Sequence, residues 1–372
     1  MVKCFKNSRP REIETLNRLL GEDGGQKVNH YDLFLKDLFE IRHPHLYKKG
    51  TKGEIESFKS DFLKEKPENS GFWIYYPWLK TAYLCPPEEV YFEIITARNK
   101  TLVSDFEQKE FYKFKVGIVG MSVGQSAALM LVRSGGARNL KIADPDTIDP
   151  SNLNRIHVGI PAIGRPKIDV VAERIFETNP YINLKKYNQG LLLNNLDGFF
   201  NDDFKLNVVV DACDDIEIKI AIRKQAKKLG VPVLMVTDIG DGALVDIERF
   251  DLDNKLPIFH GRVEEEVKIK SQLDFMKVGM KIIDPDNLSL NTIMAMSAVG
   301  KEIPSHPQLG TSAYFSGVVM SYVIRRLSAG EIFPAKRIFV DLEAYFNPKI
   351  QTEEYKILRN KAVENFKNMI GL

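Results

Sequence analysis

The fold class predicted for most of this chain is α/β: a Rossmann-like, mostly parallel sheet with helices on both faces, preceded by a small N-terminal α+β extension. Three observations predict it. The segments KFKVGIVG, NLKIAD, KLNVVVDAC and VPVLMVTDIG are short, nearly continuous apolar runs. Helical segments alternate with them, namely QSAALMLVRSG, RPKIDVVAERIFETNP and DIEIKIAIRKQAKKLG. Strands apolar on both faces, alternating with helices, specify a parallel sheet covered on both sides. Third, the first of these strands ends in the glycine turn GMSVG and runs on into a helix of small residues.

The elements follow in order. Residues 1 to about 70 are charged, with modest apolar periodicity. HYDLFLKDLFEI (His30–Ile41) is expected to form a helix with Leu33, Phe34, Leu38 and Ile41 on one face. KKGTKGEIESFKSDFLKEKPENSG is a solvated, lysine-rich helix or loop. In GFWIYYPWLKTAYLCPPEEV (Gly71–Val90), aromatic and β-branched residues flank Pro77, which predicts two strands around a turn. PPEEVYFEIITARN then starts a helix, with Glu88 and Glu89 suited to its N-terminus. Residues 1–110 are thus read as the extension and 111–345 as the α/β domain. Within it Gly135-Gly136 ends the first helix, the next helix stops before Pro180, and INLKKYNQ adds a strand. Residues 346–372 are read as a C-terminal helical tail.

Bulk properties exclude several classes. The net charge of +2 gives no support for nucleic-acid binding. Three separated cysteines, Cys4, Cys85 and Cys213, form no C-x-x-C pair, so no zinc site of the four-cysteine kind is expected. Sparse cysteines fit a reducing cytoplasm. No signal peptide is expected, because the N-terminus MVKCFKNSRPREIE has no apolar h-region, and no membrane span, because no apolar run approaches about 20 residues.

The chemistry converges on strand ends. GMSVG fits G-x-S-x-G, the nucleophile elbow of a serine hydrolase, and half-fits the glycine turn of a dinucleotide-binding unit. Under the first reading Ser122, Asp214 and His260 stand in the chain order of α/β-hydrolases. Under the second, Gly120 and Gly124 let the backbone bring N–H groups to a phosphate at a helix N-terminus. Asp144 ends the second strand about 20 residues past Gly124, where an acid binds ribose hydroxyls. Asp146, Asn152 and Arg155 follow, and a cation there neutralises phosphates. A third strand delivers Asp211, Asp214 and Asp215, for which magnesium is the natural neutraliser. Asp238, Asp241, Asp246 and His260 are candidates for the acceptor side.

GIVGMSVG, DPDTIDPSNLNR, GRPKIDV and DACDDIEIK, in this order and spacing, resemble the ThiF/MoeB/HesA superfamily of ubiquitin-activating-type adenylyltransferases. The resemblance covers about residues 98–330. It implies ATP and magnesium, and transfer of AMP to the carboxylate of a peptide or small protein, as in peptide modification or in sulfur-carrier and cofactor biosynthesis. Asp144 would hold the ribose; Asn152, Arg155 and Lys167 would contact the phosphates; Asp214 would hold magnesium or position the triphosphate. Gly120, Ser122, Gly124 and Asp146 would complete the nucleotide site. The resemblance further implies a homodimer, with Arg98 donated to the partner's site, so that Arg155, Lys167, Asp214 and Arg98 are the candidate catalytic residues. Ser312, Ala313 and Gly317 fall in the family's late helix and are read as packing. The zinc cysteine pairs are absent, as is a cysteine in the thioester position, which marks a divergent member without thiolation. In peptide-modifying relatives such extensions clamp a precursor, and the hairpin around Trp73–Trp78 is a candidate for adding a peptide strand. The alternative is a catalytically degenerate module that binds a nucleotide or NAD.

Overall fold

A computed structural model describes all 372 residues. The chain divides into two compact units: residues 1–109 with 132–136 and 172–182, and residues 110–131, 137–171 and 183–372.

The first unit contains β1 (Lys3–Lys6), α1 (Pro10–Asp23), β2 (Gln26–Val28), α2 (Tyr31–Arg42), α3 (Lys52–Glu65), β3 (Phe72–Tyr76), β4 (Thr81–Cys85) and α4 (Glu88–Thr96). Its sheet runs β1-β3-β4-β2, with β3 and β4 an antiparallel hairpin and β2 parallel to β4. Leu16 and Leu20 of α1, Leu35 and Leu38 of α2, Phe62 of α3 and Trp73, Tyr75 and Leu84 of the hairpin share one core. Two expectations change here. Helix α2 buries Tyr31, Leu35, Leu38 and Phe39, whereas Leu33 is 64% exposed. The aromatic hairpin is interior, because β1 and β2 cover its two sides, so the free edges belong to those short strands and not to Trp73–Trp78.

After α5 (Asp105–Lys113) the chain runs β5 (Lys115–Val119), α6 (Gly124–Arg133), β6 (Asn139–Ala143), α7 (Lys167–Thr178), β7 (Asn183–Tyr187), α8 (Leu196–Asn201), β8 (Val208–Asp211), α9 (Ile216–Leu229) and β9 (Val233–Ile239); α5, α6 and α7 cross the division, and these strands belong to the second unit. It continues through β10 (Gly242–Glu248), α10 (Gln272–Ile283), α11 (Leu290–Ala298), α12 (Gly310–Ser328), β11 (Lys336–Asp341), α13 (Glu343–Phe346) and α14 (Glu353–Ile370). The seven-stranded sheet has the order β11-β10-β9-β8-β5-β6-β7. Its five strands from β7 to β9 are parallel, and β10 and β11 add an antiparallel edge. The parallel order reverses between β5 and β8, and in open α/β sheets a ligand crevice forms at such a switch point. No helix is long and apolar enough to cross a membrane.

Helix α12 shows why small residues recur. Ser312, Ala313, Ser316 and Gly317 are buried, and a Cβ at Gly317 would lie 2.5 Å from the backbone carbon of Ser126 on α6. The helix that carries the glycine turn is therefore seated against Gly317, where there is no room for a side chain. Gly317→Ala is expected to destabilise the protein by about 1–3 kcal/mol through overpacking, visible as a lower midpoint in thermal unfolding.

Candidate nucleotide site at the sheet switch point

The turn after β5 is fixed by backbone sterics. Gly120 has φ +91°, and a Cβ there would lie 2.3 Å from the carbonyl oxygen of Ala212, just beyond β8. Glycine is demanded by the contact between the β5 and β8 turns. Gly124 opens α6, where a Cβ would be 2.9 Å from Ile118 Cγ2. Ser122 lies between them, and its Oγ accepts a hydrogen bond from Arg155 Nε at 3.1 Å. Arg155 Nη1 also donates to Ser151 O (3.2 Å) and Asn154 Oδ1 (2.9 Å), so the guanidinium is aimed at the glycine turn from the loop after β6. His260 lies beside Asp246 instead, so Ser122 has a cation as its partner and not the histidine a hydrolase triad requires.

Asp144, at the end of β6, is buried, and its carboxylate ties two loops together. Oδ2 accepts from Met121 N at 2.6 Å and Oδ1 from Asp146 N at 2.8 Å. Burial raises its pKa, opposed by these two hydrogen bonds. Each oxygen keeps a second lone pair for a ligand hydroxyl. Asp146 Oδ2 accepts from Lys167 Nζ at 2.8 Å, so this lysine, at the N-terminus of α7, already has an anionic partner. Asn152 is buried, and its Oδ1 accepts from Asp149 N at 3.1 Å, which orders the loop and leaves the amide NH2 group.

The acids after β8 divide by role. Asp211 is fully buried between Lys219 (3.0 Å) and Arg223 (2.5 Å), and Arg223 also reaches Glu248 at 2.7 Å. Asp215 caps α9 through Ile218 N. Asp214 alone is an exposed carboxylate without such a duty. The cluster of three acids inferred from DACDDIEIK thus reduces to one available for a ligand. No group of three or more His, Cys, Asp or Glu residues is placed to hold a metal ion. Magnesium needs few protein carboxylates when phosphate oxygens complete its shell, so Asp214 fits that demand. The Cys213 thiol is raised well above its usual range by burial and by the Asp211 carboxylate, to which it donates at 3.2 Å, so it is a poor nucleophile.

Asp238, near the end of β9, is half-buried, and Gln308 Nε2 lies 3.3 and 3.2 Å from its two oxygens. Burial pushes its pKa up to about 6, against the Gln308 hydrogen bonds and the charges of His306 and Arg155. Gln308 is anchored in turn, since its carbonyl accepts from Asn154 Nδ2 at 2.9 Å. Sequence reasoning singled out Asp238 only as one of several acids and missed Gln308. The remaining acceptor-side candidates do not join it. Asp241 is exposed in the β9–β10 turn, and Asp246 is buried opposite Met235 on β9, 3.3 Å from both His260 Nε2 and Arg337 Nη2. Gly120, Ser122, Gly124, Asp144, Asp146, Asn152, Arg155 and Lys167 are thereby linked through turns and hydrogen bonds of one unit, with Asp214 after the adjoining β8. Arg98 is exposed in the other unit, after α4.

Residues 96–267 match the ThiF family. A Mycobacterium tuberculosis (strain CDC 1551 / Oshkosh) protein, MT1398, whose function is uncharacterised, is 33% identical over 74% of this chain and 39% of its own length. The tRNA threonylcarbamoyladenosine dehydratase of Bacillus subtilis is 27% identical, covering 56% of this chain and 79% of that protein. The molybdopterin-synthase adenylyltransferase of Haemophilus influenzae is 29% identical, over 35% of this chain and 53% of that protein. The chain therefore spans well under two thirds of the first and third of these relatives. Among solved structures, Escherichia coli TcdA matches with a TM-score of 0.47 and 16% identity, over 65% of this chain and 97% of that one. Escherichia coli MccB with ATP matches with a TM-score of 0.48 and 12% identity, over 84% and 85%.

The buried charges beneath the site have a pH signature. Burial alone would raise Asp211, but Lys219 and Arg223 more than offset it and bring the carboxyl to about 2. A folded pKa below the unfolded value of about 3.9 stabilises the fold above that pH. That contribution is lost as pH falls from about 4 towards 2. In acid denaturation Asp211→Asn is expected to lose this component. Arg223→Met, which strands the buried Glu248 and leaves Asp211 with Lys219 alone, is expected to cost about 3–5 kcal/mol at neutral pH in denaturant unfolding.

Proposed function

We propose that this protein binds ATP and transfers its adenylyl group to a carboxylate on a peptide or small protein. The observation that carries this reading is Arg155 held on Ser122 at the N-terminus of α6, in the same hydrogen-bonded loop system as Asp144 and Lys167. A helix N-terminus and two cations suit a polyphosphate, and the free lone pairs of Asp144 suit ribose hydroxyls. ATP supplies an electrophilic α-phosphorus and a pyrophosphate leaving group. Arg155, Lys167 and the N–H groups of the turn stabilise negative charge on the phosphates as it develops. Asp144 fixes the sugar, and with it the direction from which a carboxylate approaches. Lys167 exchanges Asp146 for phosphate oxygen on binding. Asp214 holds magnesium, which adds neutralising charge. Arg98, exposed on the N-terminal unit, serves a second copy in a homodimer. That unit provides the peptide-binding or dimerisation surface.

A second reading, nucleotide binding without chemistry, is favoured by one observation: Lys167, Asp211 and Asp215 already have structural partners. Exchange of labelled pyrophosphate into ATP, with peptides bearing free carboxylates, separates the two. Adenylation predicts exchange in the wild type and a loss of about 10²–10³-fold in Arg155→Ala and Asp214→Ala. Equal exchange in wild type and variants would sink it, and ATP binding without exchange would leave the binding module.

A further inference from the structure

Asp238 is an acid in a place where an acid is costly. It belongs to the strand next to β8, within the field of Arg155, the cation assigned to the phosphates. Gln308 hydrogen-bonds it from the segment before α12, the charges of His306 and Arg155 act on it, and Ala243 stands opposite on β10. The first residues of α12 are Gly310, Thr311 and Ser312, all uncharged. Other acids at this end of the sheet are Asp144 after β6, Asp211 and Asp214 at and after the end of β8, Asp241 in the β9–β10 turn and Asp341 at the end of β11. The carboxylate is also held in place: Gln308 spans both oxygens, and its own carbonyl is fastened to Asn154, beside Arg155.

A triphosphate adds several negative charges and engages the cation that helps to keep Asp238 ionised. Both effects disfavour a second anion nearby. Departure of pyrophosphate removes most of that charge.

We propose that Asp238 takes up a proton when a nucleoside triphosphate occupies the site and returns to the carboxylate once pyrophosphate has left. The proposal rests on the adenylation reading above. Its consequence is a base that is present at the second half of the reaction and masked during the first. When an amine, amide or water attacks the acyl carbon, a bond from the nucleophile to that carbon forms. The bond from the acyl carbon to the phosphate oxygen breaks, its electron pair leaves with AMP, and the nucleophile's proton passes to Asp238.

Isothermal titration calorimetry of the full chain tests this. α,β-Methylene-ATP and AMP serve as probes, in buffers of different ionisation enthalpy, between pH 6 and 8. The wild type is expected to take up more protons than Asp238→Asn on binding the triphosphate analogue. Its affinity relative to that variant is expected to fall about three- to tenfold across the range. With AMP the difference in proton uptake should be much smaller. Comparison with the variant cancels the titration of the nucleotide itself. Asn keeps the shape of the side chain, and a matching thermal midpoint checks that the variant folds. Binding with equal proton uptake in both proteins, or equal differences for the analogue and AMP, overturns the proposal while leaving nucleotide binding intact. No binding by the wild type at any pH removes the nucleotide reading and the proposal together.

Discussion

The site depends on one close approach. The turn after β5 and the turn after β8 meet with no room for a side chain at Gly120, whose missing Cβ would fall 2.3 Å from Ala212 O. This contact lies at the point where the strand order reverses. It brings Ser122, the start of α6 and the Asp214 loop to one end of the sheet. Asp144 then locks the first turn to the loop after β6 through two backbone N–H groups, and that loop carries Arg155. The cation is thus positioned by backbone geometry and one buried carboxylate, which is the kind of preorganisation that charge stabilisation requires.

Charge is distributed with a clear division. Beneath the strand ends, Asp211, Lys219, Arg223 and Glu248 neutralise one another out of water, and Arg223 lies 3.7 Å over the Phe259 ring. Such a network is a weak source of net stability, but breaking it is costly, so it fixes how α9 and β10 meet β8. At the strand ends, Arg155 lies on Ser122, and Asp214 is exposed after β8. The serine in the glycine turn belongs to this cationic group: its hydroxyl accepts from Arg155, and Cys213 is a shielded thiol.

Much of this was legible in the sequence. Four of the five parallel strands were clear because each is a largely apolar run ended by a glycine or an acid, whereas β7 carries two lysines in five residues and was weakly marked; the spacing of GMSVG, Asp144 and Arg155 pointed to one loop system. Other features depend on partners far along the chain. β10 escaped notice because it carries Asp246 and Glu248, which look exposed until Arg337 and Arg223 are placed beside them. Asp211, Asp214 and Asp215 appeared equivalent because nothing local shows that Lys219 and Arg223, one helical turn apart, face the first of them. Gln308 meets the site from a segment 154 residues beyond Asn154. In the N-terminal unit, the hairpin appeared to offer an edge because β1 and β2 are too short and polar to announce themselves as strands.

The central claim is that these side chains surround a polyphosphate. The most direct measurement is a crystal structure of the full chain with α,β-methylene-ATP and magnesium. The account predicts phosphate oxygens within hydrogen-bond distance of Arg155 and Lys167, ribose hydroxyls on Asp144, and Lys167 released from Asp146. A nucleotide bound elsewhere, or bound here with the Lys167–Asp146 pair intact and Arg155 turned away, would contradict it.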